Sequence, residues 1–389
     1  MNISLGEICS YRSEKANVSS IGSEDLYIST ESMAPNKGGI STASSIPGTG
    51  RVSFFRQGDT LVSNIRPYFK KIWHADKNGY CSNDILVFQP NDASTSDYLY
   101  WLLSGDEFFD YVMATSKGTK MPRGDKSAIM NYAVPSNDET VRRVIVSVMS
   151  PIQSKIEANT KLNDYLAELL LALQKQIAET EELTESRADE VFNIHIGKTP
   201  PRKEPEWFSF DRDGNVIWMS IKDMGGGDAY LIDSSEYLTP EAVDKHNIKK
   251  CKPGSVLLSF KLTVGRVGIV ASEMVTNEAI ACFSSDDPRK LAYLYPLLKS
   301  YDYASLGSTS SIATAVNSKM IKAMGLKIPS SSVLDAFYER AKPIYELLLS
   351  NTRELAALNE LRDTLLPKLM SGEIDVSKVD LTQLNNHLA

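Results

Sequence analysis

The chain has 389 residues, 42% hydrophobic and 23% charged, with 22 Gly, 17 Pro and 4 Cys. That profile excludes a disordered or fibrous chain, and the length is enough for roughly two to three domains, each with a core of its own. The net charge of -7, taken whole, argues against a polyanionic partner.

In chain order, residues 1–136 mix short β-branched and aromatic runs, such as Thr60 to Ile65 and Ile85 to Phe88, with Gly, Pro, Asn and Ser breaks. Short strands with a few helices are predicted there. Residues 137–190 read as a long helical region. Ser136-Asn-Asp-Glu139 has the spacing of a capping box, and Pro151 is expected to start or kink the helix near its first turn. Residues 191–330 return to short strands, clearest at Val256 to Phe260 and Val267 to Val270. Residues 331–389 hold a second long helix, with Pro343 near its expected start, and a C-terminal tail.

The chain resembles itself at a spacing of about 190 to 196 residues. Tyr27-Ile-Ser-Thr-Glu-Ser-Met33 parallels Trp218-Met-Ser-Ile-Lys-Asp-Met224, and Gly58-Asp-Thr-Leu-Val-Ser63 parallels Gly254-Ser-Val-Leu-Leu-Ser259. Asn83-Asp84 recurs as Asn277-Glu278, Tyr98-Leu-Tyr-Trp-Leu-Leu103 as Tyr293-Leu-Tyr-Pro-Leu-Leu298, Gly118-Thr119 as Gly307-Ser308, and Ala133-Val-Pro135 as Lys327-Ile-Pro329. The ordered series predicts an α+β chain with a pseudo-twofold internal repeat: two similar globular domains in tandem, separated by two long helices.

Those helices carry the clearest periodicity. Steps of four and three align Ile152, Ile156, Asn159, Asn163, Leu166, Leu170, Leu173 and Ile177 in the first, and Ile344, Leu348, Asn351, Leu355, Leu358, Arg362, Leu365 and Leu369 in the second, each pair 192 apart. Two unrelated amphipathic helices on separate domains would satisfy the pattern. The shared register favours helices that pack on each other as a coiled coil, with Asn159 and Asn351 helping to fix their alignment.

Catalytic constellations are missing. Gly118-Thr-Lys-Met-Pro-Arg-Gly124-Asp-Lys-Ser127 imitates a phosphate loop with the wrong spacing, and Gly225-Gly-Gly227 reads as a turn. His74, His195, His246 and His387 sit in no metal-ligand spacing, and Thr199-Pro-Pro-Arg202 lacks the polar start and aromatic end of a base-holding methyltransferase motif. Cys9, Cys81, Cys251 and Cys282 form no CxxC pair. The expectations are a non-catalytic chain, no metal, no cofactor of its own, and a reduced cytoplasmic setting without a membrane span.

Charge counted by segment changes the first impression. Residues 1–150 carry -1, 151–190 carry -5, 191–330 carry +2 and 331–389 carry -3. Within the globular parts the basic residues bunch: Lys37, Arg51, Arg56, Arg66, Lys70 and Lys71 stand against Asp59 alone, and Lys249, Lys250, Lys252, Lys261 and Arg266 against no acid. Single lysines and arginines are ordinarily solvated surface charges, but as sets these predict a polyanion face. With them go Tyr68, Lys222 and two polar loops: Lys117, Thr119, Lys120 and Arg123 in the first copy, Ser308, Thr309 and Ser310 in the second.

At this point the residues resemble the DNA-recognition, or specificity, subunit of type I restriction-modification systems. Ile196-Gly-Lys-Thr-Pro200 followed by Gly214-Asn-Val-Ile-Trp-Met-Ser-Ile-Lys-Asp-Met224 looks like the opening of a target recognition domain. Asn64-Ile-Arg-Pro-Tyr-Phe-Lys-Lys71 with Ser82-Asn-Asp-Ile85 is similar to the family's first-domain core, and Leu361-Arg-Asp-Thr-Leu-Leu-Pro-Lys-Leu-Met-Ser-Gly-Glu-Ile374 resembles the end of its second long helix.

The resemblance implies two target recognition domains, each reading half of a split double-stranded DNA site, and two helices paired antiparallel as the spacer. It implies two methyltransferase subunits docked on the helical regions and two restriction (motor-nuclease) subunits. Adenine methylation with S-adenosylmethionine, and ATP- and magnesium-driven translocation, would belong to those partners. The heptad run from Ile152 to Ile177 spans 26 residues, about 38 Å of helix. That length matches roughly eleven base pairs at ~3.4 Å each. A coiled-coil scaffold joining two protein-binding domains, and a stand-alone DNA-modifying enzyme, remain the alternatives.

Overall fold

The computed structural model describes residues 2–41, 43–306 and 316–376. These form two compact units, residues 2–157 with 358–376, and residues 158–357. Each has its own core clusters.

The main sheet of the first unit contains Cys9–Tyr11 (β1), Thr60–Ser63 (β2), Ile72–His74 (β3) and Ile85–Pro90 (β4), in the order β1-β4-β2-β3. All neighbours are antiparallel, with Leu61 opposite both Val87 and Trp73. In the second unit Asn193–Ile196 (β5), Val256–Ser259 (β6), Val267–Val270 (β7) and Ile280–Ser284 (β8) take the order β5-β8-β6-β7, with Leu257 opposite both Cys282 and Gly268. Tyr230–Leu231 adds a fifth, parallel strand beside β7. A second, four-stranded sheet accompanies each main sheet.

The central strands are buried along their whole length because both faces are covered, and the two-residue alternation sorts their side chains. Val62, Leu86 and Phe88 join the cluster that holds helical Val144, Ile145 and Met149; Leu61, Ile85 and Val87 join a second one. In the second unit Val256, Leu258, Ala281 and Phe283 face Leu170, Leu173, Phe337 and Leu348, while Leu257, Ile280 and Cys282 face the other way.

Two long helices follow the sheets in sequence, Glu139–Thr180 (α1) and Ser331–Ser371 (α2), and each contributes to both units. Their starts differ by the same 192 residues as their heptads. Two details depart from expectation. The N-terminal cap of α1 is Asp138, whose Oδ1 accepts from Val141 N at 2.9 Å, so the Ser136 box is displaced by two residues. Pro151 and Pro343 stand twelve residues inside their helices rather than in the first turn. The preceding turns survive the missing N–H because Val144, Ile145 and Met149, and Leu334, Phe337 and Ala341, are anchored in the cores.

Of the twelve positions expected at the helix pair, Ile156, Asn159, Leu170, Leu173, Leu348, Asn351 and Leu355 are buried; Ile152, Leu166, Ile344, Leu358 and Leu365 are half-buried. In the second unit Asn159 Nδ2 donates to Glu354 Oε2 at 2.7 Å and Asn163 Nδ2 to Thr352 Oγ1 at 3.4 Å. The numbering falls along α2 as it rises along α1, so the two run oppositely there. In the first unit the buried Arg362 donates to Gln153 Oε1 at 3.4 Å and to Asp363 Oδ1 at 3.0 Å, which accounts for an arginine at a heptad core position.

No helix among the described residues is long and apolar enough to cross a membrane.

Candidate nucleic-acid interface

The loop between β2 and β3, Asn64 to Lys71, and the loop between β6 and β7, Phe260 to Arg266, leave the same end of equivalent hairpins. In the first, Arg66 at φ 51 and Lys70 at φ 50 bracket a single turn that Pro67 starts. Left-handed backbone at two non-glycine residues lifts the segment off the sheet. Tyr68 is 47% exposed and packs against Phe69 in a tilted pair with centroids 4.7 Å apart. A polar hairpin lies against this loop: Arg66 N donates to Pro122 O at 2.9 Å, Ile65 bridges to Arg123, and Arg123 bridges to Lys117. Arg66, Tyr68, Lys117, Thr119, Lys120 and Arg123 are thereby brought to one exposed rim. Two of its charges are partly spent locally, Arg123 on Asp84 at 2.8 Å and Lys117 on Asp125.

In the second unit Ser259 Oγ donates to Thr263 O at 2.6 Å and accepts from Arg266 N at 3.0 Å, tying the loop's ends together. Leu262 sits at its tip with φ 59 and is 99% exposed. Lys261 is exposed beside it, its ammonium 5.8 Å from the Phe260 ring centroid. Arg266 reaches Ile221 O at 2.5 Å, beneath the turn that carries exposed Lys222. A Cβ on Gly225 would come within 2.9 Å of that guanidinium, which is why a Gly run stands there.

The basic runs do not form single faces, which corrects the reading of them as sets. Lys249 and Lys250 precede β6 and lie at the end of its hairpin opposite Lys261, and Lys250 is ion-paired with Glu273 at 2.8 Å. Arg56 stands at the turn leading into β2, away from Arg66, and bonds Glu14; Arg51 donates to Lys15 O at 3.2 Å. Lys37 is the clearest correction. It is 5% exposed, and its ammonium lies 3.0 Å from both Asp106 and Asp363. Lys70 also binds Asp106, at 2.7 Å, and Lys71 donates to Thr30 O at 2.6 Å. Burial pushes the Lys71 ammonium below its ordinary value. Ser308, Thr309 and Ser310 lie outside the described residues.

Sequence reasoning missed Leu262, since an apolar residue in a basic loop carries no signal until its backbone and exposure are known. It also missed a group that distance in the sequence hides: His195, Cys251 and Cys282 come together in the second unit. The Gly197 of Ile196-Gly-Lys-Thr-Pro200 proves structural, because a Cβ there would meet Thr276 O at 2.1 Å.

Residues 180–348 match the family model of the type I restriction modification DNA specificity domain. The chain is 23% identical over 420 aligned positions to the type I restriction enzyme HindI specificity subunit of Haemophilus influenzae, covering 86% of this chain and 90% of that protein. It is 23% identical over 321 positions to the MjaIX specificity subunit of Methanocaldococcus jannaschii, covering 75% and 72%. Among solved structures, the type I restriction-modification S subunit from M. genitalium is 16% identical with a TM-score of 0.49, covering 95% of this chain and 96% of that one. Residues 180–348 are thus similar to the type I restriction modification DNA specificity domain, and most of the chain is similar to specificity subunits of type I restriction enzymes.

Proposed function

We propose that the chain is the non-catalytic, double-stranded-DNA-reading subunit of a cytoplasmic type I complex, and that each globular part reads one half of a bipartite site. The observation that carries this reading is the recurrence, in each unit, of one exposed hairpin loop at the same end of the same sheet: the Arg66 loop and the Leu262 loop. Each combines basic side chains with an exposed aromatic or apolar group, the mixture that meets phosphates on one side and bases on the other. The helices α1 and α2 act as an antiparallel coiled-coil spacer between the half-sites. Leu162, Tyr165 and Leu169 on α1 keep apolar side chains exposed at steps of three and four, which suits docking of methyltransferase subunits. Two such subunits would bring S-adenosylmethionine, and two restriction subunits ATP and magnesium.

The experiment is a titration of duplex DNA against the full chain, alone and with its methyltransferase partner, followed by sequencing of methylated sites. A split motif with a constant gap is expected. A contiguous motif, or methylation independent of this chain, would sink the reading.

A further inference from the structure

The ring of His195 and the thiols of Cys251 and Cys282 meet on the face of the second unit's sheet turned away from the long helices. His195 is opposite Cys282 across β5 and β8, and Cys251 bridges to Met274 from the neighbouring segment. His195 Nε2 and Cys251 Sγ are 3.6 Å apart, and all three ligand atoms lie within 4.8 Å of one another. Tetrahedral zinc, with bonds of about 2.3 Å to sulfur and 2.0–2.1 Å to nitrogen, separates its S and N ligands by about 3.6 Å and two S ligands by about 3.8 Å. The His195–Cys251 pair already has that separation, and the other two, at no more than 4.8 Å, need to close by about 1 Å at most, which small side-chain rotations supply.

Packing alone does not call for these residue types. The repeat supplies its own comparison, because the registers match: Val87 opposite Leu61 corresponds to Cys282 opposite Leu257, and Phe55 opposite Gly79 to Cys251 bridged to Met274. The residue bonded across from Val87 is Arg12, which takes the place of His195 and pairs with Asp59 at 2.5 Å. One copy therefore fills the place with an apolar pair and a satisfied ion pair, the other with two fully buried cysteines and a half-buried histidine.

We propose that His195, Cys251 and Cys282 form a zinc site. Thiolate and imidazole donors select a soft or borderline d10 ion over magnesium or calcium. Binding releases the two thiol protons to solvent, with no change of oxidation state. The buried Ser255, whose hydroxyl hydrogen-bonds Cys282, is placed to offer a fourth ligand. The ion ties edge strand β5 to β8 and to the Cys251 segment, so it braces the recognition domain.

The test uses the full chain, purified under reductant after growth with zinc, with metal measured by mass spectrometry and the apo protein titrated with Co(II). One metal per chain and a thiolate-to-cobalt charge-transfer absorption are expected, both lost in Cys282→Ala. If that variant does not fold, His195→Gln on the edge strand serves instead, lowering zinc affinity by more than about tenfold. Absence of the cobalt band in the reduced wild type, a metal content unchanged in the variants, or a Cys251–Cys282 disulfide in place of metal would overturn the proposal. DNA binding does not enter the readout, so this test fails or succeeds independently of the recognition function.

Discussion

Arg66 and Leu262 stand 196 residues apart at the same point of two equivalent hairpin loops, and both adopt left-handed backbone, at φ 51 and φ 59. Such a conformation costs an L-residue about 1–2 kcal/mol. Its recurrence at matched sites, with both side chains exposed, fits a surface built to present those side chains.

The two should therefore respond differently to mutation. Arg66→Ala is expected to cut duplex affinity roughly tenfold and lower the salt slope by about one. Leu262→Gly should weaken binding with the slope unchanged, because no charge is lost, while relief of backbone strain raises the melting temperature by about 2 °C. Affinity measured at several salt concentrations, with calorimetry, checks both. Equal slopes for the two variants would count against the assignment.

Lys261→Glu should weaken DNA binding and flatten its salt dependence, whereas the Lys249→Glu, Lys250→Glu double variant, altered at the other end of the hairpin, should leave both nearly intact. The same titrations decide it, and the reverse order would place the interface at the wrong end.

Lys37 belongs to stability rather than to binding. Burial raises the Asp106 and Asp363 carboxyls, but Lys70 and Lys37 on the first, and Arg362 and Lys37 on the second, outweigh it and hold both below the ordinary 3.8. Lys37→Met should cost about 1–2 kcal/mol, discounted because both carboxylates are partly exposed, and should leave DNA affinity alone. A depressed carboxylate stabilises the fold above its unfolded pKa, and that contribution is lost as pH falls through the folded value. The difference in melting temperature between wild type and variant should stay constant from neutral pH to about 5 and shrink below about 4.

The helix seam offers a stability test with opposite signs. The buried Asn351 Nδ2 has no hydrogen-bond partner among the described residues, whereas Asn159 is bonded to Glu354. Asn351→Leu should stabilise by about 1 kcal/mol and Asn159→Leu should destabilise by a similar amount. Denaturant midpoints check this.

For the spacer, inserting one heptad into both helices should lengthen the unread gap in the methylated motif, and Tyr165→Glu should block methyltransferase assembly while sparing DNA binding by the chain. An unchanged gap in methylation-site sequencing would refute the first, and normal co-purification the second.

By itself the sequence determined the repeat, the strand-rich and helical alternation, and the apolar stripe of both long helices, because each rests on local periodicity or on self-similarity that linear comparison detects. Of the positions that periodicity aligned, Ile156, Leu170, Leu348 and Leu355 are buried. The tertiary structure alone decided which charges are available. A lysine's role depends on its neighbours in space, so Lys37 turned inward to two aspartates while Arg66, with the same charge, was left at a loop tip. It alone exposed Leu262, and it brought His195, Cys251 and Cys282 together, since strand pairing joins residues that no spacing rule connects.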